Sequence, residues 1–224
     1  MQNSQIVKES LIHKGAEASL YYGHWFGKEV IFKYRIPKKY RTEELDKNIR
    51  TLRTLNEGRA LIYVKELGLN VPQVYEIDTI ESTIVMKYIP GEKLKNLLGR
   101  LTIDKKQEFF HKIGTFIAIL HKNGHIHGDI TTSNIIITGD DLFIIDFGLH
   151  EYSDKLEDKS VDLHLFKRVL ISSHGDDFKI CFNAFLKGYR SEYERENKNE
   201  CNSIIKNINI IETRGRYIKS EERL

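Results

Sequence analysis

Two carboxylates and one amide, set at fixed intervals among apolar runs, constrain this chain more than any other feature. Asp129 and Asn134 are separated by four residues in Asp129-Ile130-Thr131-Thr132-Ser133-Asn134, and Asp146-Phe147-Gly148 follows beyond a turn at Gly139-Asp140-Asp141. Each polar group sits where an apolar run begins or ends: Ile135-Ile136-Ile137 continues from Asn134, and Leu142-Phe143-Ile144-Ile145 leads into Asp146. Short apolar runs bounded by turn residues read as strands, and a strand end can hold an acidic side chain rigidly. Asp and Asn are also ordinary turn formers. A reading of all three as bland turns must explain why they fall together at this spacing.

The flanking sequence supplies two differently built halves. Residues 6–12, 18–25 and 28–34 read as short strands rich in Ile, Val, Leu, Tyr and Phe, broken by Gly15, Gly23 and Gly27. Over 43–67 the residues Leu45, Ile49, Leu52, Leu55, Ile62 and Val64 recur mainly at helical spacing, and Gly68 supplies a stop. Two more strands are expected at 71–75 and 83–86. After Ile89-Pro90-Gly91 the pattern turns helical, over 92–98, 103–123, 158–173, 176–190 and 200–211. In the second of these, Phe109, Ile113, Phe116, Ile117 and Leu120 form one stripe. The expected architecture is α+β and bilobal, with a small β-rich lobe over 1–88, an α-rich lobe over 89–224 and a hinge at 86–90.

That order of elements gives the motif a chemistry. Transfer of a γ-phosphoryl group depends on neutralising phosphate charge and aligning an acceptor. A protein-kinase-like fold does so with an aspartate at the acceptor, an asparagine and a second aspartate on Mg²⁺, and a strand lysine paired with a helix glutamate. Asp129, Asn134 and Asp146 take the first three positions, with ATP and Mg²⁺ as the implied ligands. Lys33 lies inside Val30-Ile31-Phe32-Lys33, where a lysine costs desolvation unless it is paired. Glu57 on the following helix is the expected partner, although Glu43, Glu44 and Glu66 lie nearby and an ordinary surface pair is the bland alternative. Met86 and Tyr88, at the hinge, are expected beside adenine.

Two departures narrow the reading. The loop expected over the phosphates, His13-Lys14-Gly15-Ala16-Glu17-Ala18, carries one glycine where protein kinases carry three. Gly15 alone can allow close backbone approach, and Glu17 is expected to face Mg²⁺ or a basic neighbour. A plain β-turn explains the loop equally well. Between Gly148 and the next helix only 149–157 remain, with no Ala-Pro-Glu, so the chain lacks an extended activation segment. Among other features, His121, His125 and His127 cluster, with structural roles outweighing zinc. Asp162 is expected to anchor the catalytic-loop backbone.

The remaining composition excludes more than it specifies. The chain has 224 residues, 40% hydrophobic and 30% charged, with a net charge of +3. Cys181 and Cys201 are too few for a disulfide framework, and no run approaches the ~20 apolar residues of a membrane span. With no signal-peptide pattern at the start, a cytoplasmic location is expected. Residues 28–59 hold ten Lys or Arg against five acidic residues, and the tail offers Arg214, Arg216 and Lys219 beside Tyr217. Both are candidates for RNA or partner contact, with a solvated helix face as the commoner explanation of the first.

Gly15-Ala16-Glu17-Ala18, Lys33 with Arg35-Ile36-Pro37-Lys38-Lys39-Tyr40-Arg41, the run from His127 through Asn134, Asp146-Phe147-Gly148-Leu149, Glu157-Asp158-Lys159-Ser160-Val161-Asp162-Leu163 and Arg214-Gly215-Arg216 together resemble the PRPK-like family, the small kinase subunit of the KEOPS complex within the RIO-like atypical kinases. The resemblance covers nearly the whole chain. It implies a serine/threonine kinase or ATPase whose ATP hydrolysis supports threonylcarbamoyl-adenosine modification of tRNA. It also implies partnership with the transferase subunit and a small accessory subunit, and contact with tRNA through the complex. In some archaea the family is fused to the transferase, so a chain of this kind also occurs as half of a fusion. A small-molecule phosphotransferase of the aminoglycoside-kinase type is the rival reading. It would need a helical insertion within 90–134.

Overall fold

The computed structural model describes residues 6–194 and 197–221, with the side chains of 214–221 outside the description. In chain order the elements are β1 (Ile6–Lys14), β2 (Ala18–Trp25), β3 (Lys28–Arg35), α1 (Glu43–Glu66), β4 (Val74–Asp78), β5 (Thr83–Lys87), β6 (Glu92–Lys93) and α2 (Leu94–Leu97). They continue with α3 (Ile103–Lys122), β7 (His125–Ile126), β8 (Ile135–Thr138), β9 (Asp141–Ile144), β10 (Glu151–Tyr152), α4 (Leu156–Ser173), α5 (Phe178–Tyr193) and α6 (Lys198–Glu221). Among the described residues, no helix is long and apolar enough to cross a membrane.

The chain divides into two compact units. One comprises the residues up to Gly91 together with Phe143–Gly148; the other comprises Glu92–Leu142 and the residues from Leu149 on. The expected boundary at 88 therefore moves to Gly91, and Asp146-Phe147-Gly148 belongs with the first unit rather than the second. Backbone and side-chain bonds account for this. Ile144 donates its N–H to the Asn70 carbonyl at 3.0 Å, and Asp146 is bonded to Lys33 in β3.

The first unit is a five-stranded sheet in the order β1-β2-β3-β5-β4, antiparallel at every pairing. Alternation in β3 buries Val30 and Phe32 against Val85, with Tyr21, Trp25 and Tyr75 packed around them. The helix over 43–66 forms as expected, but its apolar positions do not mark its buried face. Leu45, Leu52 and Ile62 are exposed, whereas Asp46, Thr54, Glu57, Gly58, Ala60, Leu61 and Val64 are buried. The inward side of α1 holds charged and small residues because it carries the ion pairs described below.

The second unit is built on helices. The α3 stripe of Phe109, Ile113, Phe116, Ile117 and Leu120 is buried as its spacing requires. α3 and α5 cross at glycines. A Cβ on Gly114 would stand 2.0 Å from the Phe185 carbonyl oxygen, and one on Gly188 would stand 1.9 Å from that of His111, so any side chain at either position would force the helices apart. Residues 92–93 form strand β6 paired with β8, not the start of a helix. There the chain is held to Ile136 and Ile137 before α2 begins. α6 runs to Glu221, well past the expected end at 211.

Candidate active site

In β3, residues 33 and 35 share a face because side chains alternate along a strand. That face meets the buried side of α1. Lys33 Nζ donates to Glu57 Oε1 at 2.5 Å and to Asp146 Oδ1 at 2.8 Å, while Arg35 Nη2 donates to Glu57 Oε2 at 2.6 Å. Lys33, Arg35 and Glu57 are buried, whereas the Asp146 side chain is 46% exposed. Burial pulls the Lys33 ammonium toward neutrality, but Glu57 and Asp146 outweigh it and hold its pKa above the ordinary lysine value. Glu57 is thus Lys33's partner in the structure. Arg35 was not anticipated as Glu57's second partner. The available signal was the period of two, which puts both cations on one face.

Asp146 has φ of 66°, in the left-handed region that non-glycine residues seldom occupy. Its Oδ1 also accepts the Gly148 N–H at 3.2 Å, a local bond of the kind that lets aspartate tolerate this conformation.

The second unit carries the other part of the motif. Asn134 Nδ2 donates to Asp129 Oδ2 at 2.9 Å and to the Asp129 carbonyl at 3.0 Å. The Asp129 N–H donates to His127 Nδ1 at 3.2 Å. Asp162, in α4, suspends the loop from the helical core. Its Oδ2 accepts the His127 N–H at 3.1 Å and its Oδ1 accepts the Gly128 N–H at 2.9 Å. Burial alone raises the Asp162 carboxyl, but the His121 hydrogen bond and charge, with His127 and the Gly128 amide, bring it below the usual aspartate value. His121 Nε2 lies 3.1 Å from Asp162 Oδ2, and its Nδ1 lies 2.9 Å from Tyr189 Oη, so His121 links α5 through α3 to α4. Gly128 has φ of 79°, and a Cβ there would stand 2.4 Å from the Leu149 carbonyl.

The loop between β1 and β2 is a tight turn, Gly15 N–H donating to the Ala18 carbonyl at 2.9 Å. It is tied to the chain after β3 and to α1. Lys38 Nζ donates to the Ala16 carbonyl, Ile36 N–H donates to the Glu17 carbonyl at 3.1 Å, and Arg53 Nη1 donates to Glu17 Oε2 at 2.8 Å. Glu17 thus has Arg53 as a basic neighbour. Much of the basic stretch 28–59 is spent the same way: Arg41 and Arg50 reach Asp46 at 3.5 and 2.7 Å. At the expected hinge residues, Met86 is buried in β5, and the Tyr88 N–H is given to the Glu29 carbonyl at 3.1 Å. Arg214, Arg216 and Lys219 lie outside the described residues.

A histidine pair adjoins the Asp129 loop. β7 and β10 pair antiparallel, and His125 Nδ1 lies 2.8 Å from His150 Nε2. Burial, then His125 and His127, lower the His150 pKa from 6.5 to about 4. Between those values the unfolded chain takes up a proton that the native ring refuses, so stability falls as pH drops from about 6.5 toward about 4 and is unaffected above that window. The thermal midpoint is expected to decrease from pH 7.5 to pH 5, and His150→Gln to flatten that dependence. An equally steep decrease in the variant would remove His150 as the cause.

Comparison with known proteins identifies the family of the chain. A family model of the RIO domain matches residues 28–155, a span holding Lys33, Glu57, Asp129, Asn134 and Asp146. The chain is 43% identical over 213 residues to the KEOPS complex subunit Bud32 of Pyrococcus abyssi, covering 92% of this chain and 96% of that protein. The chain belongs to the Bud32 family of RIO-domain proteins. Longer relatives also match. The probable bifunctional tRNA threonylcarbamoyladenosine biosynthesis protein of Methanococcus maripaludis is 40% identical over 215 residues, and the chain spans 96% of its own length but 37% of that protein. Among solved structures, the Rio2 kinase-ADP/Mg²⁺-phosphoaspartate complex from Chaetomium thermophilum aligns with TM-score 0.64 at 17% identity, over 88% of this chain and 68% of that one. The fold is therefore kinase-like, a β-sheet unit followed by a mainly helical one, as expected for the Bud32 family.

Proposed function

We propose that this chain is an ATP-dependent phosphotransferase and ATPase that serves as the kinase-like subunit of a KEOPS-type complex, its ATP hydrolysis supporting threonylcarbamoyl-adenosine modification of tRNA. The observation that carries the reading is Lys33, a buried cation between a buried glutamate and a half-exposed aspartate. A stability role alone would be served as well by apolar side chains, whereas a lysine held charged in this way suits a phosphate ligand.

Asp129 positions the attacking hydroxyl or water and accepts its proton. Lys33 binds phosphate oxygens, Glu57 fixes Lys33, the turn at Gly15, Ala16, Glu17 and Ala18 covers the phosphates, and the chain near Met86 and Tyr88 receives adenine. Asp146 and Asn134 offer oxygen donors of the kind that suits Mg²⁺. The Asp146 carboxylate is half-exposed, and the Asn134 amide nitrogen is occupied by Asp129, which turns its carbonyl oxygen to the remaining role. Bound Mg²⁺ would offset the negative charge of the phosphates. The short span 149–155 before α4 favours a fixed partner over many protein substrates.

The names of the relatives support the biological setting. A relative of matching length is a KEOPS subunit, and the longer ones are bifunctional tRNA threonylcarbamoyladenosine biosynthesis proteins, of which this chain spans about 37%. The expected partners are the transferase subunit, a small accessory subunit and, through the complex, tRNA. The aminoglycoside-kinase reading gains no support from 92–134, which holds short α2, two 3-10 turns and α3 with no further α-helix. ATP turnover should be measured alone, then with the transferase and tRNA. Stimulation by those additions is expected. Efficient phosphorylation of an aminoglycoside with no response to transferase or tRNA would favour the rival.

A further inference from the structure

The Lys33 cluster holds a second buried cation to which the proposed reaction gives no task. We propose that Arg35 is a positioning residue for phosphate binding, satisfying one oxygen of Glu57 so that the charge of Lys33 remains available to a phosphate. This rests on reading Lys33 as the phosphate ligand.

Glu57 has two carboxylate oxygens, and each is assigned to a different cation. Oε1 faces Lys33 at 2.5 Å and Oε2 faces Arg35 at 2.6 Å. With Glu57 only 1% exposed and Arg35 5%, this pairing lies away from water, where charges interact strongly. Counting Asp146, the cluster sets two positive groups against two negative ones. Without Arg35, Lys33 alone would face both carboxylates, and Glu57 Oε2 would be left buried without its cation. Lys33 would then be drawn toward Glu57, and an incoming phosphate would compete with a carboxylate that no second cation tempers.

A role confined to pinning β3 on α1 is the plainer alternative, since Arg35 Nη2 also donates to the Arg53 carbonyl at 3.2 Å. A pin would be expected to use its donors fully. Arg35 Nε is instead buried without a hydrogen-bond partner among the described residues, while Nη2 serves both acceptors. A buried unmade donor is costly, and the charge balance at Lys33 gives a reason for its retention. The reach of the guanidinium agrees: Nη2 would lie 3.8 Å from a Cβ placed on Gly148, beside Asp146. The same point would lie 3.1 Å from Asp146 Oδ1 and 3.7 Å from Glu57 Oε2, so Arg35 belongs to the neighbourhood of the Lys33 cluster.

The test is ATP turnover and binding in Arg35→Gln, Arg35→Lys, Lys33→Met, Glu57→Gln and the Arg35→Gln/Glu57→Gln double variant, with thermal unfolding of each. Arg35→Gln is expected to lower kcat/KM by up to about a hundredfold, through KM for ATP far more than through kcat. Arg35→Lys keeps the charge but loses the fork and should fall between wild type and Arg35→Gln. The double variant should be no worse than Glu57→Gln, because the carboxylate that Arg35 tempers is gone. An unchanged KM in folded Arg35→Gln, or a penalty undiminished in the Glu57→Gln background, would overturn the proposal. If Arg35→Gln does not fold, the same cycle with Arg35→Lys decides: a KM increase that disappears beside Glu57→Gln supports it, and an absent or additive one overturns it. Lys33→Met separates the two levels. If it leaves ATP binding intact, the phosphate reading itself fails, whereas damage there with a silent Arg35→Gln removes only the role of Arg35.

Discussion

Asp129→Ala is expected to reduce ATP turnover by roughly 10²–10⁴-fold, the range associated with losing a positioned general base, while leaving the protein folded. The side chain is half-buried, and its one described side-chain bond comes from Asn134. Asn134 Nδ2 keeps a second acceptor, the carbonyl of residue 129 at 3.0 Å. The loop backbone is held by Asp162 through residues 127 and 128. Nothing that shapes the loop therefore leaves with the carboxylate. Steady-state ATP hydrolysis together with a thermal melt checks both halves, and full activity in a folded Asp129→Ala protein would sink the assignment.

Glu57→Ala should produce the largest loss of stability. It removes one anion and strands two buried cations, Lys33 and Arg35. Breaking a buried pair by deleting one partner costs about 3–5 kcal/mol because the other charge remains buried. Here Lys33 keeps Asp146 at 2.8 Å, but Arg35 keeps only the Arg53 carbonyl among its described bonds. A decrease in thermal midpoint of roughly 10 °C is expected for a protein of this size, with ATP affinity falling in parallel. A variant with the wild-type melting curve would show that the cluster contributes little to folding.

Most of this was legible in the order of the residues. The strands expected at 6–12, 18–25 and 28–34 lie within two residues of β1, β2 and β3, because Gly15 and Gly27 interrupt β-rich runs; Gly23, expected as a break, is instead paired inside β2. The α3 stripe was read correctly because that helix is buried by ordinary apolar contact. α1 shows where such reading stops. Its periodic Leu45, Leu52 and Ile62 face outward, and its inward face is Thr54, Glu57, Gly58, Leu61 and Val64, on which a charge and small residues interrupt the apolar signal. Glu57 was chosen among several glutamates from its expected role. Its place between Thr54 and Leu61 at helical spacing was the structural clue. Arg35 was missed because the second cation has no counterpart in the Lys–Glu pair expected of kinases. The compact units divide at Gly91 rather than at 88 and take Phe143–Gly148 into the first unit, because a late segment returns there through bonds to Asn70 and Lys33, and no local pattern announces a return.

The Asp162 anchor carries a consequence for how this protein opens. The amides of His127 and Gly128 end on a side chain that is 1% exposed and is itself braced through His121 to Tyr189. Freeing either amide to exchange with solvent breaks a bond to a carboxylate braced in the helical core, so both are expected to exchange slowly. The segment bearing Asp129 is thereby tied to that core and is expected to hold its geometry as long as the core does.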